Sequence, residues 1–311
     1  MKKLILGAAL LAALGTAQAA YAADPKGADE PIKIAINEWT GQNLSAHIAG
    51  GLLKKMGYSV EFVTAGAVPQ FAAIAEGSLH FQPEVWTNNV GDIYPKAVES
   101  GKIVITGNLG LEPKEGWFYP PYMEEKCPGL PAYSALYDCA QAFAAADTFP
   151  KGRLITYPAD WGTRSNDQVA AIGLPFQPVA GGSEGAMLAE MKSAVAAQQP
   201  MLMMFWQPHW IHAEIDLNVV EWDSSSADCL AGQNQSKGSA CGFAQASINK
   251  IVNSGFANTW PGAMNFVKSY TLTNDVQNAL IQKVDQEKRS VEEVAAEWID
   301  ANESVWGGWV K

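Results

Sequence analysis

The sequence predicts an α/β protein of two lobes, and three observations predict it. Strand-like apolar runs alternate with helix-length segments from Ile32 to Trp86, and the same alternation returns from Leu154 to Trp206. Between them, residues 111–139 turn to proline, aromatics and charge, as in Glu112-Pro113-Lys114-Glu115-Gly116-Trp117, which reads as a crossover to a second lobe. Strands alternating with helices of this length imply βαβ units and a largely parallel sheet. Ligand sites in such sheets lie beyond the carboxyl ends of the strands.

In chain order, residues 32–36 read as a strand, 44–56 as a helix ended by Gly57, 60–63 as a strand, and 68–76 as a helix capped by Gly77. Residues 79–85 form a strand leading into Trp86. In the second half, 154–157 is a strand followed by the loop 158–163, and 183–197 is an alanine-rich helix whose start is marked by Ser183 and Gly185. Residues 201–205 form a buried strand ending at Trp206, and 224–242 is a polar loop. The tail from Trp260 reads as helices, including 275–288 and 291–302.

The N-terminus has the pattern of a secretory signal peptide over residues 1–22: Lys2 and Lys3, an apolar stretch over 4–14, then Ala20-Tyr21-Ala22 as a small-x-small cleavage site. That stretch is too short to anchor a membrane span, so the mature protein is expected to be exported and soluble. Removing it leaves 289 of the 311 residues, enough for two domains. The expected boundaries are 23–112 plus 247–311 for lobe one and 113–246 for lobe two. The net charge is −11, or −13 without the leader's two lysines. An acidic chain without basic runs lacks the Lys and Arg that phosphate contact needs, which speaks against nucleic acid. Cys127 and Cys139 are 12 apart, as are Cys229 and Cys241. Four cysteines in an exported chain favour disulfides, and three pairings are open. The local pairs Cys127–Cys139 and Cys229–Cys241 are expected, because each closes a Gly/Pro/Ser-rich loop.

Eleven tryptophans are present, and four stand beside turn-forming or polar residues, often just after strand-like runs: Trp39, Trp86, Trp161 and Trp206. Indole is the best side chain for gripping a cation by its ring face, so four of them on loops suggest a box for a methylated ammonium. Trp117, Trp222, Trp260, Trp298, Trp306 and Trp309 read as scaffold packing, and Trp210 as a packed helix start. His209 and His212 are three apart but lack a companion carboxylate or cysteine set for metal. No cofactor is required. An acidic exported protein could hold a structural Ca2+, yet no Asp-x-Asp-x-Asp-Gly loop places one. No Gly-x-Ser-x-Gly or His-Glu-x-x-His motif occurs, so an enzyme is not expected.

Four stretches carry a resemblance: Glu84-Val85-Trp86-Thr87, Ala159-Asp160-Trp161-Gly162, Phe205-Trp206-Gln207-Pro208-His209-Trp210 and Trp306-Gly307-Gly308-Trp309-Val310. In this order and spacing the chain resembles the periplasmic substrate-binding proteins of ABC importers for quaternary ammonium compounds, the glycine betaine, proline betaine and choline group. The resemblance implies a periplasmic binding protein fold with two lobes, a hinge and an interlobe cleft. It also implies a periplasmic monomer that serves an inner-membrane permease. Trp86, Trp161 and Trp206 fall on the family's three-tryptophan positions, and Trp39 looks like a fourth wall. The backbone amides of Gly162 and Thr163 match those that hold betaine's carboxylate, although Thr163-Arg164-Ser165 replaces a cysteine-containing turn. Glu115 lies at the crossover, beside the expected cleft. An ionised carboxylate there repels a ligand carboxylate, but suits choline's hydroxyl, or trimethylamine N-oxide if one proton is shared with the oxide. The four tryptophans plus Glu115 resemble the trimethylamine N-oxide-binding branch, which makes that the first expectation, with choline or glycine betaine as alternatives.

Overall fold

The structure is a computed structural model describing residues 26–27, 29–88, 90–223, 240–243 and 246–311. The leader, Cys229 and most of the polar loop lie outside the described residues. The first sheet begins with β1 (Ile32–Ile36), α1 (Thr40–Lys55), β2 (Val60–Thr64), α2 (Gln70–Glu76), β3 (Phe81–Trp86), α3 (Ile93–Glu99) and β4 (Ile103–Asn108). The chain then crosses to β5 (Lys114–Tyr119), α4 (Met123–Lys126), β6 (Pro128–Pro131), α5 (Leu136–Cys139), β7 (Gly152–Thr156), α6 (Arg164–Ile172), β8 (Phe176–Ala180), α7 (Glu184–Ala196), β9 (Met203–Gln207) and β10 (Asn218–Val219). It returns with β11 (Ile248–Asn253) and ends in α8 (Phe256–Thr259), α9 (Pro261–Ser269), α10 (Asn274–Asp285), α11 (Val291–Ala301) and α12 (Glu303–Trp306).

Two five-stranded sheets result, in the orders β2-β1-β3-β11-β4 and β10-β5-β9-β7-β8. Both are mixed, where the alternation pattern implies largely parallel pairing. β1 pairs parallel with β2 and β3, and β7 with β8 and β9. β11 runs antiparallel to β3 and β4, and β5 antiparallel to β9 and β10. The reason is the crossover. A strand that enters a sheet from the edge at which its neighbours leave must run against them, and β5 and β11 are the two strands that enter this way.

Local chemistry explains the element ends. Gly57 and Gly77 take positive φ (93° and 79°) where α1 and α2 stop, a left-handed turn that glycine adopts without a Cβ clash. α1 begins at Thr40, four residues before its apolar stripe becomes legible, because its first turn is glycine and buried polar side chains. Gln42 there is fully buried, accepting from Asn37 N and donating to the Ala35 carbonyl and to Gln82 Oε1. α7 starts with Ser183, whose Oγ accepts from the Ala186 amide at 3.2 Å. Ser183→Ala should therefore lower unfolding stability by about 1 kcal/mol, the usual worth of such a cap; urea unfolding with an unchanged midpoint would show that the cap is silent. Cys127 and Cys139 form a disulfide.

Candidate functional site

One cavity gathers all five residues singled out by sequence. Its walls include Trp39, Trp86, Trp161, Trp206 and Glu115, with Tyr157, Glu84, Gln70, Ala67, Val85 and Val90 completing them. The elements explain the convergence. Trp39 is the extended residue that opens α1, and Trp86 ends β3. Trp161 closes the short helical turn after β7, its amide bonded to the Pro158 carbonyl at 3.0 Å. Glu115 on β5 and Trp206 on β9 are register partners across an antiparallel pair, so both side chains project from the same face of the second sheet.

The aromatic rings touch one another. Trp161 is central: its ring centroid lies 5.2 Å from Trp39, 5.7 Å from Tyr157 and 5.7 Å from Trp206, and the contacts with both tryptophans are edge-on. The Trp39–Trp161 contact joins a residue of the first α/β unit to one of the second. All four indoles are at least nine-tenths buried. Indole faces turned on a dry space attract a cation more strongly than they would in water.

Polar atoms are few. Glu115 Oε1 accepts from the Tyr157 hydroxyl at 2.8 Å. Burial first, and then the Glu115 charge, hold the Tyr157 hydroxyl well above its ordinary pKa, so it remains a donor. Burial pushes the Arg164 guanidinium down from its usual value, while Glu115 and Tyr157 push the other way; its Cζ stands 4.4 Å from the Phe243 ring centroid. Trp161 Nε1 is buried with no hydrogen-bond partner among the described residues.

Sequence reasoning missed six wall residues, of which Tyr157 and Glu84 bring the chemistry. Tyr157 directly follows β7, the strand-end position that had singled out the tryptophans. Glu84 is a carboxylate in β3, all six of whose residues are buried. It lies two positions before Trp86 and so on the same face. The period of two and the lone charge in an otherwise uncharged strand were the available signals.

Beside the box, Thr40, Glu184, His209 and Asp285 meet. Glu184 Oε2 accepts from the Thr40 amide (2.8 Å) and lies 2.9 Å from the Thr40 hydroxyl, which is also 2.9 Å from Asp285 Oδ1. The Trp210 indole donates to Asp285 Oδ2 at 2.8 Å, and His209 Nε2 lies 3.4 Å from Glu184 Oε1. Among the described residues, Glu184, His209 and Asp285 are the one set with ligand atoms close enough to share a metal. However, His209 Nδ1 accepts from the Ile211 amide at 3.2 Å. The neutral ring then carries its proton on Nε2, which leaves no lone pair there for a metal. The set instead works as a polar clasp between helix ends. His212, three residues on, is bonded to the Trp206 carbonyl and is pushed down to about 4, chiefly by burial.

Comparisons with known proteins give the family and the fold. Residues 30–301 match the family described as the substrate binding domain of ABC-type glycine betaine transport systems. The chain is 28% identical over 320 residues, covering all of both chains, to the trimethylamine N-oxide-binding protein of Pelagibacter ubique (strain HTCC1062). In fold it is similar to lactococcal OpuAC in its closed-liganded conformation complexed with glycine betaine, with a TM-score of 0.72, 18% identity, and coverage of 90% of this chain and 99% of that one. It is also similar to an ABC-transporter choline binding protein in complex with choline, with a TM-score of 0.73, 17% identity, and coverage of 88% and 90%. Among the described residues no helix is long and apolar enough to cross a membrane.

Proposed function

Because the chain belongs to the family of substrate-binding domains of ABC-type glycine betaine transport systems, we propose that it captures trimethylamine N-oxide outside the cytoplasm and delivers it to an import permease. The observation that carries this reading is the convergence of four indoles and the Glu115 carboxylate on a single cavity. Trp39, Trp86, Trp161 and Trp206 surround the methyl groups. A desolvated cation–π contact contributes about 2 kcal/mol or more, and micromolar binding needs about 8 kcal/mol in all, so several such contacts together suffice. No bond is made or broken; the function is selective capture.

The oxide oxygen accepts hydrogen bonds and needs donors. Trp161 Nε1–H belongs to a wall residue and has no partner among the described residues. Glu115 supplies a second contact if a proton is shared between its carboxyl and the oxide. Choline is the second reading, favoured by the same carboxylate, since its hydroxyl can donate to Glu115 directly. Glycine betaine is the third, and there the Glu115 charge opposes the ligand's own.

Calorimetric titration of the mature protein with trimethylamine N-oxide, choline, glycine betaine and carnitine tests the ranking. Tighter binding of choline than of the N-oxide would overturn it. A shared proton also fixes the sign of the pH dependence: the proton is lost as pH rises, so N-oxide affinity should weaken through its apparent pKa. Tyr157 does not interfere, because its hydroxyl stays protonated well above the ordinary range. Affinity that stays flat from about pH 5 to 9 would remove the shared proton.

A further inference from the structure

The geometry points to Glu84 as the buried counter-charge of the box, a residue that both positions two of its indoles and selects a charged ammonium over an uncharged ligand of the same shape. The inference rests on the cation-box reading above. Glu84 is 1% exposed and lines the cavity. Its Oε1 accepts from Trp39 Nε1 and from Trp86 Nε1, each at 3.0 Å. Its Oε2 accepts from Ser45 Oγ at 2.6 Å and Gln277 Nε2 at 2.8 Å. Indole and amide N–H groups only donate, so three of the four partners require an acceptor, and the serine hydroxyl supplies the fourth proton. Burial pushes the Glu84 carboxyl up from its usual value, and these four donors pull it back toward the ionised form that they suit.

One carboxylate oxygen therefore grips the edges of two walls that come from different elements, the entry to α1 and the end of β3. An indole fixed at its N–H cannot pivot about its long axis, so both ring faces are set before a ligand arrives. The same group carries a charge with an unfinished balance. Among the described residues Glu84 makes no ion pair with a lysine, arginine or histidine within 4.0 Å. A buried charge without a counter-charge is costly even when hydrogen-bonded, and a cation in the box behind Trp39 and Trp86 supplies what is missing. A neutral isostere offers the same methyl surface and none of this compensation.

The test compares trimethylamine N-oxide with tert-butanol, its carbon isostere, on wild type, Glu84→Gln and Glu84→Asp. Glu84→Gln keeps size and one acceptor but removes the charge. It should weaken N-oxide binding by about tenfold or more beyond any weakening of tert-butanol, whose loss reports only the shifted walls. The indole N–H resonances of Trp39 and Trp86 should move upfield, reporting the lost carboxylate. Glu84→Asp keeps the charge on a shorter arm, so it should keep the preference for the N-oxide while weakening both ligands. Equal weakening of both ligands in Glu84→Gln, or loss of the preference in Glu84→Asp, would overturn the charge role. Unmoved indole resonances in Glu84→Gln would overturn the positioning role. Wild-type protein that shows no preference for the N-oxide would sink the cation-box reading itself, a different outcome from either.

Discussion

Trp161→Ala is expected to raise the dissociation constant for trimethylamine N-oxide at least about 30-fold, since a desolvated cation–π wall contributes about 2 kcal/mol or more and each 1.4 kcal/mol is tenfold. Trp161 is the informative wall because its ring contacts are Trp39, Tyr157 and Trp206, all of them cavity residues. It stands in a short helical turn rather than in a sheet, yet it is buried in the main hydrophobic cluster, so urea unfolding of the variant must accompany the titration to separate lost contact from lost packing. Trp206 differs: it lies in β9 and stacks on Phe205 at 4.2 Å, so its loss mixes binding with packing. Calorimetry gives the affinity change, and ligand-induced quenching of tryptophan fluorescence should shrink with it. An affinity within about threefold of wild type would remove Trp161 from the wall.

Glu184→Ala should weaken binding by about ten- to a hundredfold although Glu184 does not line the cavity, because buried hydrogen bonds to a charged group contribute about 1.5–3 kcal/mol. The N-cap position of α1, Trp39, makes no side-chain cap. Glu184, the first residue of α7, fills that role from the other α/β unit, accepting from the Thr40 amide. A carboxylate there also meets the positive end of two helices, α1 and α7. These bonds join the first α/β unit to the second, so losing them loosens the hold of one unit on the other and taxes affinity without touching the ligand. Small-angle scattering of the liganded variant should show a more extended particle; unchanged compactness and unchanged affinity together would dismiss the clasp.

The clasp has its own pH signature. Thr40 has one hydroxyl proton and two carboxylate neighbours, Glu184 and Asp285, so one more proton completes the set. Burial first, and then the Glu184 charge, raise the Asp285 pKa. A carboxyl that holds its proton more tightly in the folded clasp than in water stabilises the clasp at low pH, and this contribution is lost as pH rises through the raised value. The direction matches that of the Glu115–oxide proton. Asp285→Asn separates the two, because it removes only the clasp's share.

The α/β class, the alternation of elements and the four tryptophans that meet at the cavity were legible because each leaves a short-range signal: apolar period, glycine at a helix end, indole near a strand end, although Trp86 and Trp206 lie within β3 and β9 and not on loops as expected. The mixed strand directions were not, since nothing local in residues 248–253 announces that they run against their neighbours. The start of α1 was hidden by Gly41, Gln42 and Asn43, which look like loop until the buried bonds of Gln42 are seen. Glu84 was quoted in a motif and passed over, because its role depends on Trp39, Ser45 and Gln277, three partners far away in sequence. Glu184 and Asp285 looked like ordinary helix-end charges for the same reason.

The place of β11 has a consequence for the order of assembly. It lies inside the first sheet, between β3 and β4, yet it is made only after the whole second sheet. Until residue 253 is available, β3 and β4 face each other across an empty position with unpaired backbone on both sides. The first α/β unit therefore cannot complete early and wait. Its sheet closes late, through contacts of long sequence separation, the kind that make folding slow. A chain so arranged can complete its first sheet only once most of its length is available.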